Sequence, residues 1–256
     1  MPLHVETRGA GKPVVLLHGW GMHGGVWQDV AGPLAQALEV HTVDLPGHGH
    51  GARGALAEFT LDGVADALAA RFPVPVTVVG WSLGGMIAQR WAVRAPETVA
   101  QLVLVASTPC FANRADWHNG MPADALALFA EELERDFATT LRRFAALQVR
   151  GAEGERETLT ALRDRLFARG EPDPAALRGG LEILRDADLR PALGALAQPA
   201  LVIAGGRDRL TPPQASRYMA QALPRARLVE IAGAAHAPFL SHRDAFVDAL
   251  LEFMKV

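Results

Sequence analysis

The chain has 256 residues, 50% hydrophobic and 21% charged, a globular composition that excludes disorder. A formal net charge of −3 gives no global drive toward nucleic acid or an anionic membrane, and the single cysteine, Cys110, rules out a disulfide framework. No apolar stretch approaches the ~18–20 residues of a membrane-spanning helix. The opening residues MPLHVETRGAGKP lack a basic start followed by an apolar run. No secretory signal is therefore expected, and the cytoplasm is the expected compartment.

In chain order, residues 14–17 form the first continuous apolar run, ending at His18-Gly19. Residues 40–43 form the second, ending in Asp44-Leu45-Pro46-Gly47. A helix is expected over residues 61–72. Residues 76–79 then lead into Gly80, and a second helix is expected over 86–95. Further runs lie at 102–105, 201–204 and 228–231. Unalternated apolar runs bounded by Gly or Pro predict strands buried on both faces. Their alternation with helices predicts an α/β fold, a mostly parallel central sheet with helices on both sides. Between about residues 110 and 199 no comparable run appears. Three-to-four spacing of apolar residues instead predicts helices over 123–134, 137–148, 156–168 and 174–185. The expected organisation is a core of residues 1–110 and 191–256, with 111–190 inserted as a helical lid.

The strongest motif is Gly80-Trp81-Ser82-Leu83-Gly84, set between a predicted strand and a predicted helix. That context places Ser82 at the apex of a sharp turn, where small neighbours let strand and helix approach closely. With only four serines in the chain, chance predicts about 0.04 such motifs even before the strand–helix context is demanded. A serine hydroxyl needs a base, and the base needs an orienting group. His236, after the last predicted strand, is the candidate base. Asp208, in the loop after the strand at 201–204, is the candidate acid. Asp208 also reads as a loop-capping carboxylate near Thr211. Asp44 is a rival that precedes the serine, and Asp186 and Asp188 fall in the helical insert. The order Ser, Asp, His is that of α/β-hydrolases. Candidate oxyanion donors are the backbone N–H groups of Leu83 and Trp20. The Trp20 side chain is expected to pack in the core and could also wall an acyl pocket, the two roles being compatible. His18 is expected to orient backbone in its turn. His48 and His50 form a His-x-His pair with no third ligand at ligand spacing, so neither a metal nor a cofactor is expected. Cys110 is expected to be a small buried residue.

Taken together, these residues resemble the α/β-hydrolase superfamily over the whole chain. The strings LLHGWG, VDLPGHG, GWSLGG, VASTPCF, RFAALQ, GGLEIL and AAHAPFLSH are similar to the pimeloyl-[acyl-carrier protein] methyl ester esterases of biotin synthesis. The resemblance implies a serine carboxylesterase that frees the carboxylate of a methyl pimeloyl chain carried on acyl-carrier protein, releasing methanol. It implies substrate contacts at Trp20, Ser82, Leu83 and His236, with Phe144, Ala145, Ala146, Leu147 and Gln148 contributing from the lid. It also implies docking of the acidic carrier on lid arginines. Arg142, Arg143, Arg156 and Arg163 are the candidates, drawn from seven arginines against four acids between Arg142 and Gly170. Thr139 and Thr160 stand where the family pattern leads one to expect arginine. A broad esterase acting on free short-chain esters, and a non-catalytic ligand receptor on the same fold, remain as alternatives.

Overall fold

Seven strands form one sheet in a computed structural model that describes residues 3–54 and 58–255. They are β1 His4–Arg8, β2 Lys12–Leu17, β3 Leu38–Asp44, β4 Val76–Trp81, β5 Val99–Val105, β6 Ala200–Gly205 and β7 Ala226–Ile231. The spatial order is β1-β3-β2-β4-β5-β6-β7. Only β1 runs antiparallel, against β3, and every other pairing is parallel. The predicted runs at 14–17, 40–43, 76–79, 102–105 and 201–204 are buried throughout, as layers of helix on both faces require. The run at 228–231 departs from that expectation. It forms the β7 edge and is only half-buried, because no strand covers its far side. β1 was not expected at all. Its sequence HVETR is short and mostly polar, which suits an edge strand and hides it from a search for apolar runs.

The helices are α1 Gln28–Leu34, α2 Leu61–Arg71, α3 Leu83–Arg94, α4 Ala123–Arg135, α5 Phe137–Val149, α6 Glu155–Leu166, α7 Pro174–Asp186, α8 Pro213–Ala222, α9 Pro238–Ser241 and α10 Arg243–Met254. Local chemistry sets several starts. Thr60 accepts from the Gly63 N–H at 3.1 Å to cap α2, and Asp136 accepts from Thr139 N at 3.0 Å to cap α5. Asp173 caps α7, whose first residue is Pro174, a position where the missing N–H costs nothing. α3 begins three residues earlier than the periodicity indicated, directly at Leu83.

Helices α4 to α7 all lie between β5 and β6. The two ends of this stretch meet, since Leu189 N–H donates to Pro109 O at 2.7 Å and Cys110 bridges to Asp188. Cys110 is fully buried, as expected. The stretch packs over the C-terminal end of the sheet. Trp20, three residues past β2, donates its indole N–H to Leu177 O of α7 at 2.9 Å. No helix among the described residues is long and apolar enough to cross a membrane.

Candidate active site

The turn from β4 into α3 forms only because three positions lack a side chain. A Cβ on Gly80 would lie 2.3 Å from Gly84 O, and one on Gly84 would lie 2.6 Å from the carbonyls of Leu17 and His18. A Cβ on Gly85 would meet Ser107 at 2.4 Å. Ser82 itself is held at φ 54° and ψ −118°, a region costly for any residue with a Cβ. Neighbouring strand ends hold it there. Ser82 N–H donates to Val105 O at 3.0 Å, and the Ser107 hydroxyl donates to Ser82 O at 2.8 Å. Leu83 is the first residue of α3, so its N–H is one of the helix-end donors with no partner inside the helix.

Asp208 and His236 come together although 28 residues separate them. His236 Nδ1–H donates to Asp208 Oδ2 at 2.7 Å, and both side chains are almost completely buried. Asp208 is itself fixed by three donors. Leu210 N–H and Thr211 N–H donate to Oδ1 at 2.8 and 3.1 Å, and the Thr211 hydroxyl donates to Oδ2 at 2.7 Å. The capping role and the partnership with His236 are therefore carried by the same carboxylate. The loops approach this closely because a Cβ on Gly205 would fall 1.9 Å from Ala235 O. Of the rival acids, Asp44 accepts from Gly24 and His50 N–H, while Asp186 and Asp188 pair with Arg185 and Arg190.

His236 is also tied to the serine turn and to the helices between β5 and β6. Trp81 donates its indole N–H to His236 O at 2.7 Å, and His236 N–H donates to Gln148 O at 2.9 Å. Trp81 was singled out in the sequence only as part of a string, and the structure gives it this tether. His18 orients backbone as expected. Its Nδ1–H donates to Gly19 O at 2.8 Å, so Nε2 accepts from Leu45 N–H at 3.1 Å. Burial, with His48 nearby, pushes the His18 pKa down to about 3, and burial takes His48 to about 4. Both imidazoles are therefore neutral at pH 7.

Trp20 is 2% exposed and forms an aromatic triangle with Phe129 of α4 and Phe144 of α5, each ring pair 5.2–5.4 Å apart between centroids. These rings, with Phe111, Met121, Leu126, Leu147 and Leu181, line an apolar cavity of about 120 Å³. Of the expected lid contacts, Phe144 and Leu147 line this cavity, whereas Ala145, Ala146 and Gln148 do not. Gln148 meets His236 through its carbonyl, and Ala145 is buried against the core. Phe129, Leu126 and Leu181 were missed by sequence reasoning. Phe129 and Leu126 lie in no motif, Leu181 stood in the string GGLEIL with no role given to it, and the three-to-four spacing of α4 and α7 marked all three as inward-facing.

The arginines between residues 142 and 170 divide into two groups. Arg142, Arg143, Arg156 and Arg163 are exposed on α5 and α6. Arg143 shares Glu132 at 2.8 Å, and Arg142 lies over the Phe167 ring. Arg165 and Arg169 are instead nearly buried. Arg165 pairs with Asp29 at 2.7 Å, and Arg169 with Glu6 and Asp44 at 2.8 and 3.0 Å. The His-x-His pair is also split. His48 turns inward beside His18, while His50 meets His4 and Glu6 at the surface.

Residues 12–243 match the family model described as alpha/beta hydrolase fold. A pimeloyl-[acyl-carrier protein] methyl ester esterase from Chromobacterium violaceum is 49% identical over 255 residues, covering 100% of this chain and 99% of the relative. One of the same name from Nitrosomonas europaea is 49% identical over 245 residues, covering 96% of each. Among solved structures, an esterase from Exiguobacterium antarcticum superposes with a TM-score of 0.87 at 23% identity, covering 99% of this chain and 96% of that one. A bromoperoxidase from Bacillus anthracis also gives 0.87, at 24% identity, covering 99% and 95%. Two structures named for different chemistries at equal TM-score show that the fold alone does not choose the reaction. The sequence relatives do narrow it: the chain belongs to the alpha/beta hydrolase fold family and, within it, to the family of pimeloyl-[acyl-carrier protein] methyl ester esterases.

Proposed function

We propose that this protein is a serine carboxylesterase that hydrolyses the methyl ester of a pimeloyl chain carried on acyl-carrier protein, in biotin synthesis. The observation that carries the reading is the buried Asp208–His236 pair, tied through Trp81 to a serine on a strained strand-to-helix turn. Ser82 Oγ attacks the ester carbonyl while His236 Nε2 takes its proton. Asp208 holds the imidazole with Nδ1 protonated and stabilises its charged form. The tetrahedral oxygen is received by the N–H groups of Leu83 and Trp20. His236 then gives its proton to departing methanol. Water, deprotonated by His236, attacks the acyl-serine, and the proton returns to Ser82 as the free carboxylate leaves.

Residues 111–190 act as a lid over a core of 1–110 and 191–256. The apolar cavity beside Trp20 suits the methylene chain, and its lack of charged lining suits a neutral ester better than a free carboxylate. Arg142, Arg143, Arg156 and Arg163 supply the exposed positive charge to which an acidic carrier docks, with Arg165 and Arg169 committed to internal ion pairs. The test compares methyl pimeloyl-carrier protein with free monomethyl pimelate, using Ser82→Ala as control. A large preference for the carrier-linked ester, absent in the control, supports the reading. Equal or faster turnover of the free ester reduces it to a general carboxylesterase. Ligand uptake without turnover in the parent protein leaves a receptor.

A further inference from the structure

The sequence offered His50 only a neighbour, His48, that the fold turns away from it. The fold supplies different company. His4 and Glu6 are two residues apart on β1 and therefore share one face of that edge strand. β1 pairs with β3 so that His4 stands opposite Asp44. The loop after β3 returns and is pinned there, because His50 N–H donates to Asp44 Oδ2 at 2.9 Å. Its imidazole lands edge-on against His4, with centroids 5.0 Å apart. One donor atom from each of His4, Glu6 and His50 lies within 4.8 Å of the other two.

We propose that His4, Glu6 and His50 bind a divalent first-row metal ion, with Zn²⁺ the ion of best fit. Two imidazoles and one carboxylate are a donor set that zinc accepts, with water completing the tetrahedron. Ligands about 2.0–2.1 Å from the ion sit roughly 3.4 Å from each other, so the three side chains close by about 1 Å on binding. Their half-exposed positions permit that movement: side-chain exposure is 38% for His4, 31% for Glu6 and 54% for His50. Neighbouring side chains orient the ligands. Arg169, nearly buried, holds a Glu6 oxygen at 2.8 Å and orients the carboxylate as outer-shell donors do. Asp44 adds a second carboxylate, 4.0 Å from His50 Nδ1. Arg8, 3.9 Å from Glu6 and 57% exposed, is free to swing aside.

The site lies three strand spacings from β4 in the sheet order, roughly 14 Å at about 4.8 Å each. The ion therefore staples β1 to the loop after β3 and takes no part in ester hydrolysis. The experiment uses untagged protein, calorimetric titration with Zn²⁺, and thermal melting with and without the ion. His4→Ala and His50→Ala are the variants, each removing one ligand from a separate segment. The expected result is one Zn²⁺ per chain and a Tm rise of about 2–4 °C on saturation. In each variant the affinity should fall at least tenfold and the Tm rise should vanish. Methyl ester hydrolysis by the metal-free variants should stay within twofold of the parent, which also reports that they fold. No saturable binding to the parent, or an unchanged affinity in both variants, overturns the proposal.

Discussion

The strand ends that carry Ser82, Asp208 and His236 meet backbone to backbone, whereas the helices between β5 and β6 add to backbone bonds such as His236 N–H to Gln148 O a layer of side chains packed around Trp20. In the first region a Cβ on Gly80, Gly84 or Gly205 would lie between 1.9 and 2.6 Å from a carbonyl oxygen, which has nowhere to go. In the second, Phe129, Phe144 and Leu181 press on or beside Trp20, and such side chains can change rotamer. A rigid half suits atoms that exchange a proton within hydrogen-bond reach. An adaptable half suits a flexible acyl chain. The contrast implies that changes in the first region act on chemistry and folding, and changes in the second on which substrate is accepted.

The largest effect should come from the rigid half. Asp208→Asn keeps the shape but presents an amide to His236 Nδ1, and kcat is expected to fall about 10⁴-fold with little change in KM. An equal loss in KM would mean that Asp208 holds the pocket and not the base.

Next comes acid. His18 and His48 stay neutral when folded, with pKa values near 3 and 4, but unfold to ordinary histidines near 6.5. The unfolded chain therefore binds more protons below pH 6.5, so stability declines as pH falls from there toward 4. By pH 5 the two together should cost on the order of 4 kcal/mol, read as a fall in the urea midpoint between pH 7.5 and 5. A flat profile over that window would show that these histidines are not buried neutral.

A matched pair of glycine substitutions tests the comparison directly. Gly205→Ala drives a methyl into Ala235 O and should cost more than about 3 kcal/mol, enough to lose soluble protein. Gly180→Ala drives one 2.6 Å from Trp20 Cδ1, where a ring on a movable side chain can shift. It should cost about 1–3 kcal/mol, with a lowered kcat/KM for the ester. Equal costs would erase the distinction between the two halves.

Smaller effects are expected at the surface. Replacing Arg142, Arg143, Arg156 and Arg163 by Ala should lower kcat/KM for carrier-linked ester by roughly tenfold at low salt, and leave free ester unchanged. The smallest is strain at the turn. Ser82→Gly should melt about 2–4 °C above Ser82→Ala, because only glycine relaxes at φ 54° and the relief is about 1 kcal/mol net.

Several features were legible from residues alone because their physics is local. Apolar runs bounded by glycine marked five buried strands, since burial on both faces leaves no alternation to read. Gly80-Trp81-Ser82-Leu83-Gly84 stated its own geometry, because crowding of a strand against a helix forbids side chains at fixed offsets. Three-to-four spacing located all four inserted helices within about two residues. Other features depend on partners distant in the chain. β1 was silent because a half-exposed edge strand needs no apolar run. Arg165 and Arg169 counted as positive surface in the sequence, yet Asp29, Asp44 and Glu6 take them up across more than a hundred residues. Phe129 entered the cavity wall only when α4 was laid over Trp20. His50 exchanged its sequence neighbour for His4 and Glu6 when β1 paired with β3. By itself, then, the sequence determined six of the seven strands, six of the ten helices and the serine turn, which follow from periodicity and sterics within a few residues. Tertiary structure alone decided which charges are spent inside, which rings wall the cavity and which histidines meet, because those contacts are set by the packing of segments the chain keeps far apart.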